Sequence, residues 1–262
     1  MTQVRQTDVD SYGLCYPGSK NKYVKRMPRI LRPICIDLFG GGGAISHYLA
    51  RHGAERVIYN DKNRICAAAF SAALRGEFPD EDLNQLSNAE RAPLVEASPV
   101  IDFMLSFRPG QRRSFLKNQL SYERRVNRFR RCRNAGIADR IAIVSADYSA
   151  FEAMRAAPWV AWYIDPPYCD GCGYDVTCDW AWRWCDEIAG PIVGFDSRVP
   201  TGEGWRELWR IEQQASRSAR HYLTICFFRP ARQPTEADIA ATAEQLDLIG
   251  GNDAATGDVP RE

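Results

Sequence analysis

Short apolar runs recur along the chain, each closed by an acid, a glycine or a proline. The first, Pro33-Ile34-Cys35-Ile36-Asp37-Leu38-Phe39, ends at Gly40-Gly41-Gly42-Gly43 and reads as a buried strand. Residues 44–52 then place apolar side chains at helical spacing and stop at Gly53. Further strands read at 56–60, 141–144, 159–164 and 191–196, and 211–216 with 222–228 reads as a closing antiparallel hairpin. Strand, glycine loop, helix and strand together predict an α/β domain built on a mostly parallel sheet.

The stretch 62–135 lacks the strand pattern. Ile65 to Leu74 is alanine-rich and helical, and Ser87-Asn88-Ala89-Glu90 is a capping-box pattern. Pro93, Pro99 and Pro109 are expected to break this region. Ser149-Ala150-Phe151-Glu152 reads as a second capping box, and Trp205 to Trp209 as a short helix. Residues 1–14 read as polar and loose. From Ala231 the chain turns to Ala, Asp, Glu, Gly and Thr, with a surface helix expected at 235–248 and a disordered end.

Composition narrows the classes. The 262 residues are 45% hydrophobic and 26% charged, enough for a packed core. The N-terminal residues carry no apolar signal core, and no apolar run approaches the roughly 20 residues of a membrane span. A cytoplasmic protein is expected, and its nine cysteines are expected to be reduced thiols. Cys169-x-x-Cys172 has the spacing of half a zinc site, but Cys178 and Cys185 are too far apart to complete the usual form, so no metal is expected.

Net charge is only +1, yet charge is segregated. Arg112, Arg113, Lys117, Arg124, Arg125, Arg128 and Arg131 fall in one window with interleaved aromatics. The window reads either as a phosphate-binding surface or as a solvated helix face.

The chemistry concentrates at strand ends. Trp159 to Ile164 stops at Asp165-Pro166-Pro167-Tyr168, because proline cannot continue a central strand. The Asp165 carboxylate and the Pro166 carbonyl are two acceptors on stiff backbone, suited to the two N–H bonds of a planar amine, and Tyr168 could stack on its ring. The glycine run is neither the dinucleotide nor the phosphate-loop pattern, so a cationic, nonphosphorylated cofactor fits it better, with Asp37 alongside. Asp61, after the next strand, is either a ribose ligand or a helix cap. Asp147 is either an acceptor for an adenine amine or a turn residue. Tyr16-Pro17-Gly18-Ser19-Lys20 adds a ring and an ammonium, with basic Lys22, Lys25 and Arg26 behind it.

In order and spacing these stretches resemble the D12-class DNA adenine-N6 methyltransferases, the group that includes the Dam enzymes. The resemblance rests on Tyr16 to Lys20, Asp37 to Gly43, Asn60-Asp61, the helical basic insert, Ala146-Asp147-Tyr148 and Asp165 to Tyr168, and covers about residues 15–228. It implies a Rossmann-like methyltransferase sheet with a helical insert, using S-adenosylmethionine. The catalytic domain would be 15–61 with 136–230, the target-recognition insert 62–135 and a tail 231–262. Tyr16, Lys20, Asp37, Phe39, Gly40, Gly41 and Gly42 would surround the cofactor, with Asp61 on its ribose and Asp147 on its adenine. Asp165, Pro166, Pro167 and Tyr168 would hold a flipped base beside it, with Asp165 also facing the cofactor.

Double-stranded DNA is the implied partner of a monomer, with a restriction endonuclease as a possible companion. Leu38, the short insert and the cysteine-rich segment after Tyr168 depart from the family pattern. Cytosine-N4 transfer would use the same amine chemistry. Protein-glutamine methyltransferases carry Asn-Pro-Pro-Tyr, against which Asp165 and the basic insert argue. A noncatalytic DNA-binding protein is the reading from another class.

Overall fold

The computed structural model describes residues 11–16, 18–79, 82–106, 119–166, 179–214 and 221–232. Seven strands form one sheet: β1 (Ile34–Asp37), β2 (Arg56–Asn60), β3 (Ile141–Val144), β4 (Val160–Ile164), β5 (Ile192–Asp196), β6 (Arg206–Gln214) and β7 (His221–Arg229). Their order is β3-β2-β1-β4-β5-β7-β6. β7 alone runs against its neighbours β5 and β6. The sheet is doubly wound and parallel from β3 through β5, with the antiparallel β7 and then β6 closing one edge.

Both faces of the sheet are covered, which is why its central strands read as unbroken apolar runs. All five residues of β4 are buried. The pleat sorts them: Ala161 and Tyr163 join one core, Val160, Trp162 and Ile164 the other. The first core gathers α1 (Ala44–Arg51), α2 (Arg64–Arg75), α4 (Pro99–Leu105) and α5 (Gln119–Asn134). The second is built around Trp162, Phe227 and the Trp182 and Cys185 side chains of α6 (Asp179–Cys185). No described helix is long and apolar enough to cross a membrane.

The stretch 62–135 is helical through most of its described part, and its first helix belongs to the main core. Phe70 of α2 packs on Tyr59 of β2, ring centroids 4.9 Å apart. α5 contributes Tyr122, Val126, Phe129 and Cys132 to the same core, a stripe at helical spacing. The Ser87 capping box forms as expected and opens α3 (Asn88–Ala97). Pro93 does not break that helix: it lies inside it, forgoing one backbone bond in a short, strongly capped element. Pro99 instead starts α4 at its first position, with Ser98 as the cap. Pro109 lies outside the described residues.

Three further expectations are corrected. Residues 11–14 are not loose. Tyr12 and Leu14 are buried against α1, and the Gly13 amide donates to His47 Nδ1 at 3.0 Å. Trp205 to Trp209 is not a helix; Arg206 opens β6, and a register shift between Glu207 and Trp209 breaks the alternation that would have revealed a strand. The turn at Tyr148–Met154 is a 3-10 helix capped by Asp147, whose carboxylate accepts from the Ser149 amide. Glu152 is instead held by Trp184 and Arg155. The expected helix at 235–248 lies outside the described residues, as do Cys169, Cys172 and Cys178.

Candidate active site

The sheet order reverses between β1 and β4, which pair in parallel from Ile34–Val160 to Asp37–Tyr163. In such sheets the crevice outside the carboxyl ends of the strands at the reversal is the natural ligand site. Asp37 ends β1 there and Asp165 follows β4.

Asp37 is fully buried. Its Oδ2 accepts from the Ser46 amide at 3.0 Å and the Ser46 hydroxyl at 2.7 Å, tying β1 to the first turn of α1. Its Oδ1 is buried without a partner among the described residues. Burial pushes its carboxyl up to about 7 against the Ser46 bonds, with the charges of Asp165 and Asp61 adding to the rise.

The glycine loop between β1 and α1 is pinned at almost every peptide. The Gly40 amide donates to the Asn60 carbonyl at 2.7 Å, and the Gly41 amide to Asp61 Oδ2 at 2.7 Å. The Tyr59 hydroxyl donates to the Gly41 carbonyl at 2.7 Å, and the Leu14 amide to the Gly42 carbonyl at 2.6 Å. Side chains would not fit: a Cβ at Gly40 would lie 2.1 Å from the Tyr59 ring. Gly43 has φ +70° and would meet Phe70 at 2.5 Å.

Asp61 therefore does two jobs already. Oδ2 holds Gly41, and Oδ1 accepts from the Asn63 amide at 2.8 Å. Burial raises its carboxyl, against those two backbone bonds. Asn60, which the strand pattern did not single out, stitches three strand ends together. Its Nδ2 donates to the Leu38 and Ala146 carbonyls, and its Oδ1 accepts from the Ala146 amide.

Asp165 faces a buried lysine. Lys20 Nζ lies 2.7 Å from Asp165 Oδ2, donates to the Gly18 carbonyl at 2.8 Å and sits 5.8 Å from the Phe195 ring centroid. Asp165 Oδ1 is buried without a partner among the described residues. Burial lifts the Asp165 carboxyl to about 6, with Lys20 pulling it down and Asp196 pushing it up. Pro166 is buried beside it. Pro167 and Tyr168 lie outside the described residues.

Tyr16 packs against the loop, its ring stacked on Phe103 at 6.1 Å and 3.1 Å from where a Gly41 Cβ would be. Phe39 meets Trp180 edge-on at 5.9 Å, and Trp180 stacks on Tyr148 at 4.4 Å. Asp147, at the end of β3, is more exposed than the other acids and pairs with Lys62 at 2.8 Å. That Lys62 bond, with the Ser149 amide, holds the Asp147 carboxyl below its ordinary value.

The site thus offers two buried carboxylate oxygens that no described residue satisfies, on strands flanking the reversal. Buried acceptors of this kind call for donors. Three carboxylates around one loop repel a phosphate and suit a cation bearing N–H groups.

The basic cluster divides. Arg124 is exposed and Arg131 half-buried on α5. Arg125 turns inward: it is buried, donates to the Phe103 carbonyl and lies 5.5 Å from the Phe103 ring, and burial lowers its guanidinium to about 10. It is a core residue, not a phosphate contact, because the apolar stripe of α5 carries position 125 inside beside Val126 and Tyr122. Arg128 donates to the Tyr12 carbonyl at 3.3 Å. Arg112, Arg113 and Lys117 lie outside the described residues.

Sequence reasoning missed Tyr59, Ser46 and the Tyr12–Leu14 strap, and it used Asn60 as part of a motif without its role in joining the strand ends. The signal for Tyr59 was available, since a tyrosine in a buried strand needs a partner for its hydroxyl. The strap carried none.

No family profile and no curated protein matches the chain. Among solved structures, one similar to it is a conserved hypothetical protein of Streptococcus pyogenes, 10% identical over 80% of this chain and 94% of that one, TM-score 0.41. Two others are a candidate methylase of Haemophilus influenzae, 12% identical over 81% and 96%, TM-score 0.38, and a candidate methyltransferase of Escherichia coli, 13% identical over 84% and 92%, TM-score 0.39. Likenesses this distant carry no argument about activity, which rests on the site itself.

Proposed function

We propose that the protein is an S-adenosylmethionine-dependent DNA methyltransferase that modifies the N6 amine of adenine. The observation that carries this reading is Asp165 Oδ1, a buried acceptor without a partner among the described residues, at the strand reversal and next to the Pro166 carbonyl. A flipped base presenting an exocyclic NH2 supplies the missing donor.

The residues fit the cofactor on the same ground. The Asp37 Oδ1 atom and the acids flanking the glycine loop suit a ligand with an ammonium and a sulfonium, and Asp61 and Asp147 line the ends of β2 and β3 where a nucleoside would lie. Bound there, the cofactor supplies an electrophilic methyl group. The protein's part is positioning. Lys20 grips Asp165 Oδ2, so that Oδ1 stays aimed at the amine. Two acceptors, Asp165 Oδ1 and the Pro166 carbonyl, draw the amine protons into fixed directions and turn its lone pair toward the methyl group. Asp165, with its carboxyl near 6, is also placed to take the proton that the amine sheds. Orientation of this kind can contribute up to roughly 7–11 kcal/mol. The base must first leave the duplex stack, which costs a few kcal/mol.

The test is mass spectrometry of nucleosides from DNA incubated with the protein and methyl-labelled S-adenosylmethionine. Label in N6-methyladenine is expected. Label in N4-methylcytosine would replace the base but keep the amine chemistry. DNA that stays unlabelled while the protein binds it would support a noncatalytic DNA-binding protein instead.

A further inference from the structure

Between Ser11 and Ile36 the chain carries six cations, Lys20, Lys22, Lys25, Arg26, Arg29 and Arg32, and no acid. Lys20 is buried on Asp165, whereas the other five are exposed. The local structure explains the split. Two short 3-10 turns, Lys20–Lys22 and Val24–Arg26, sink Tyr23, Val24 and Met27 into the core and leave the charged positions outside. Arg26 is braced from behind, 5.4 Å from the Trp209 ring, while Trp209 Nε1 donates to the Arg26 carbonyl at 3.1 Å.

Other segments add to the same side. Arg51, at the end of α1, lies 5.9 Å from the Tyr12 ring, and Arg128 of α5 bonds the Tyr12 carbonyl. His52 is held below its ordinary value by burial and by the charges of Arg29, Arg51 and Lys25, so these cations are close enough to act on one ring. Like charges gathered this way repel, and a polyanion relieves the repulsion. On α5, by contrast, Arg125 is spent on the core.

We propose that Lys22, Lys25, Arg26, Arg29 and Arg32 form a second phosphate-binding ridge, beside α5, that holds DNA backbone away from the target base. The assignment of DNA, rather than another polyanion, rests on the function proposed above. The ridge begins two residues from Lys20, which bonds Asp165, and ends at Arg32, two residues before the amino end of β1, so it leads from the crevice toward the opposite end of the sheet and would take phosphates beyond those beside the target base.

The experiment is fluorescence anisotropy with a duplex DNA across a salt series, comparing the full-length protein with the K25Q/R29Q/R32Q variant and with R75Q/R183Q, which removes exposed charge elsewhere. The ridge variant is expected to bind DNA more weakly, and its plot of log K against log salt to flatten by about 0.9 for each phosphate it no longer neutralises. R75Q/R183Q is expected to keep the wild-type slope. Calorimetric binding of S-adenosylmethionine and the melting temperature should match wild type in both, which separates weakened phosphate binding from misfolding. A ridge variant with the wild-type slope overturns the ridge and leaves the proposed activity standing. A slope that flattens in a protein that methylates no DNA keeps the ridge and removes the activity. A wild-type protein that binds no DNA overturns both.

Discussion

Replacing Asp37 by asparagine isolates the electrostatic cost of the candidate site. Asp37 is fully buried, keeps one oxygen without a partner among the described residues and has its carboxyl pushed from 3.8 to about 7. Between those two values the folded protein binds more protons than the unfolded chain, so folding stability falls as pH rises through that window. A rise from 3.8 to about 7, at roughly 1.4 kcal/mol per tenfold change in affinity for the proton, amounts to about 4 kcal/mol in all. About 3 kcal/mol of this lies between pH 5 and pH 9 by the same linkage. Set against a typical domain stability of about 5–15 kcal/mol, that is a large fraction.

Urea denaturation of the ligand-free protein at several pH values and constant salt measures it. Wild type should lose stability mostly between pH 5 and about pH 7 and little more up to pH 9, and Asp37→Asn should lose about 3 kcal/mol less over the whole range. S-Adenosylmethionine, a cation in the same crevice, should bind wild type more tightly as pH rises through 7 and bind the variant with little pH dependence. Parallel stability curves for the two proteins would refute the assignment of this cost to Asp37.

Asp165→Ala should abolish methyl transfer, read as incorporation of labelled methyl groups, while leaving DNA affinity within a few-fold of wild type; turnover near wild type would remove Asp165 from the mechanism. Lys20→Met leaves the buried Asp165 carboxylate without its partner and should cost about 3–5 kcal/mol at neutral pH, less in acid where Asp165 protonates, as followed by denaturation midpoints. Gly40→Ala drives a methyl group into the Tyr59 ring and should cost about 1–3 kcal/mol, read from the melting temperature. Tyr59→Phe removes the hydroxyl from the Gly41 carbonyl and should cost about 1 kcal/mol while weakening cofactor binding by calorimetry.

Most of the sheet was legible because its strands are buried on both faces and so read as continuous apolar runs bounded by acids, glycine or proline. Asp37 and Asp165 were legible for the same reason, as acids closing such runs. β6 was not. It is an edge strand, and the shift at Glu207 and Trp209 gives Trp205, Leu208 and Trp209 the spacing of a helix. The Tyr12–Leu14 strap was hidden because its anchor is largely backbone: the Gly13 and Leu14 amides find His47 and Gly42 through contacts that no local pattern encodes. Arg125 misled for a third reason. A run of arginines shows charge but not helical phase, and only the buried stripe of Tyr122, Val126 and Phe129 shows which guanidinium points inward.

The central position of β1 has a consequence for synthesis of the chain. β1 takes hydrogen bonds from β2 on one side and β4 on the other. β2 follows within about 20 residues, but β4 begins at Val160, more than 120 residues after β1 ends at Asp37. At ribosomal rates of about 5–20 residues per second, β1 waits roughly 6–25 s as an open strand edge while the helical stretch emerges. The nascent protein can therefore complete the glycine loop before the half that carries Asp165 exists, but it does so with the future middle of the sheet exposed to pairing with other chains.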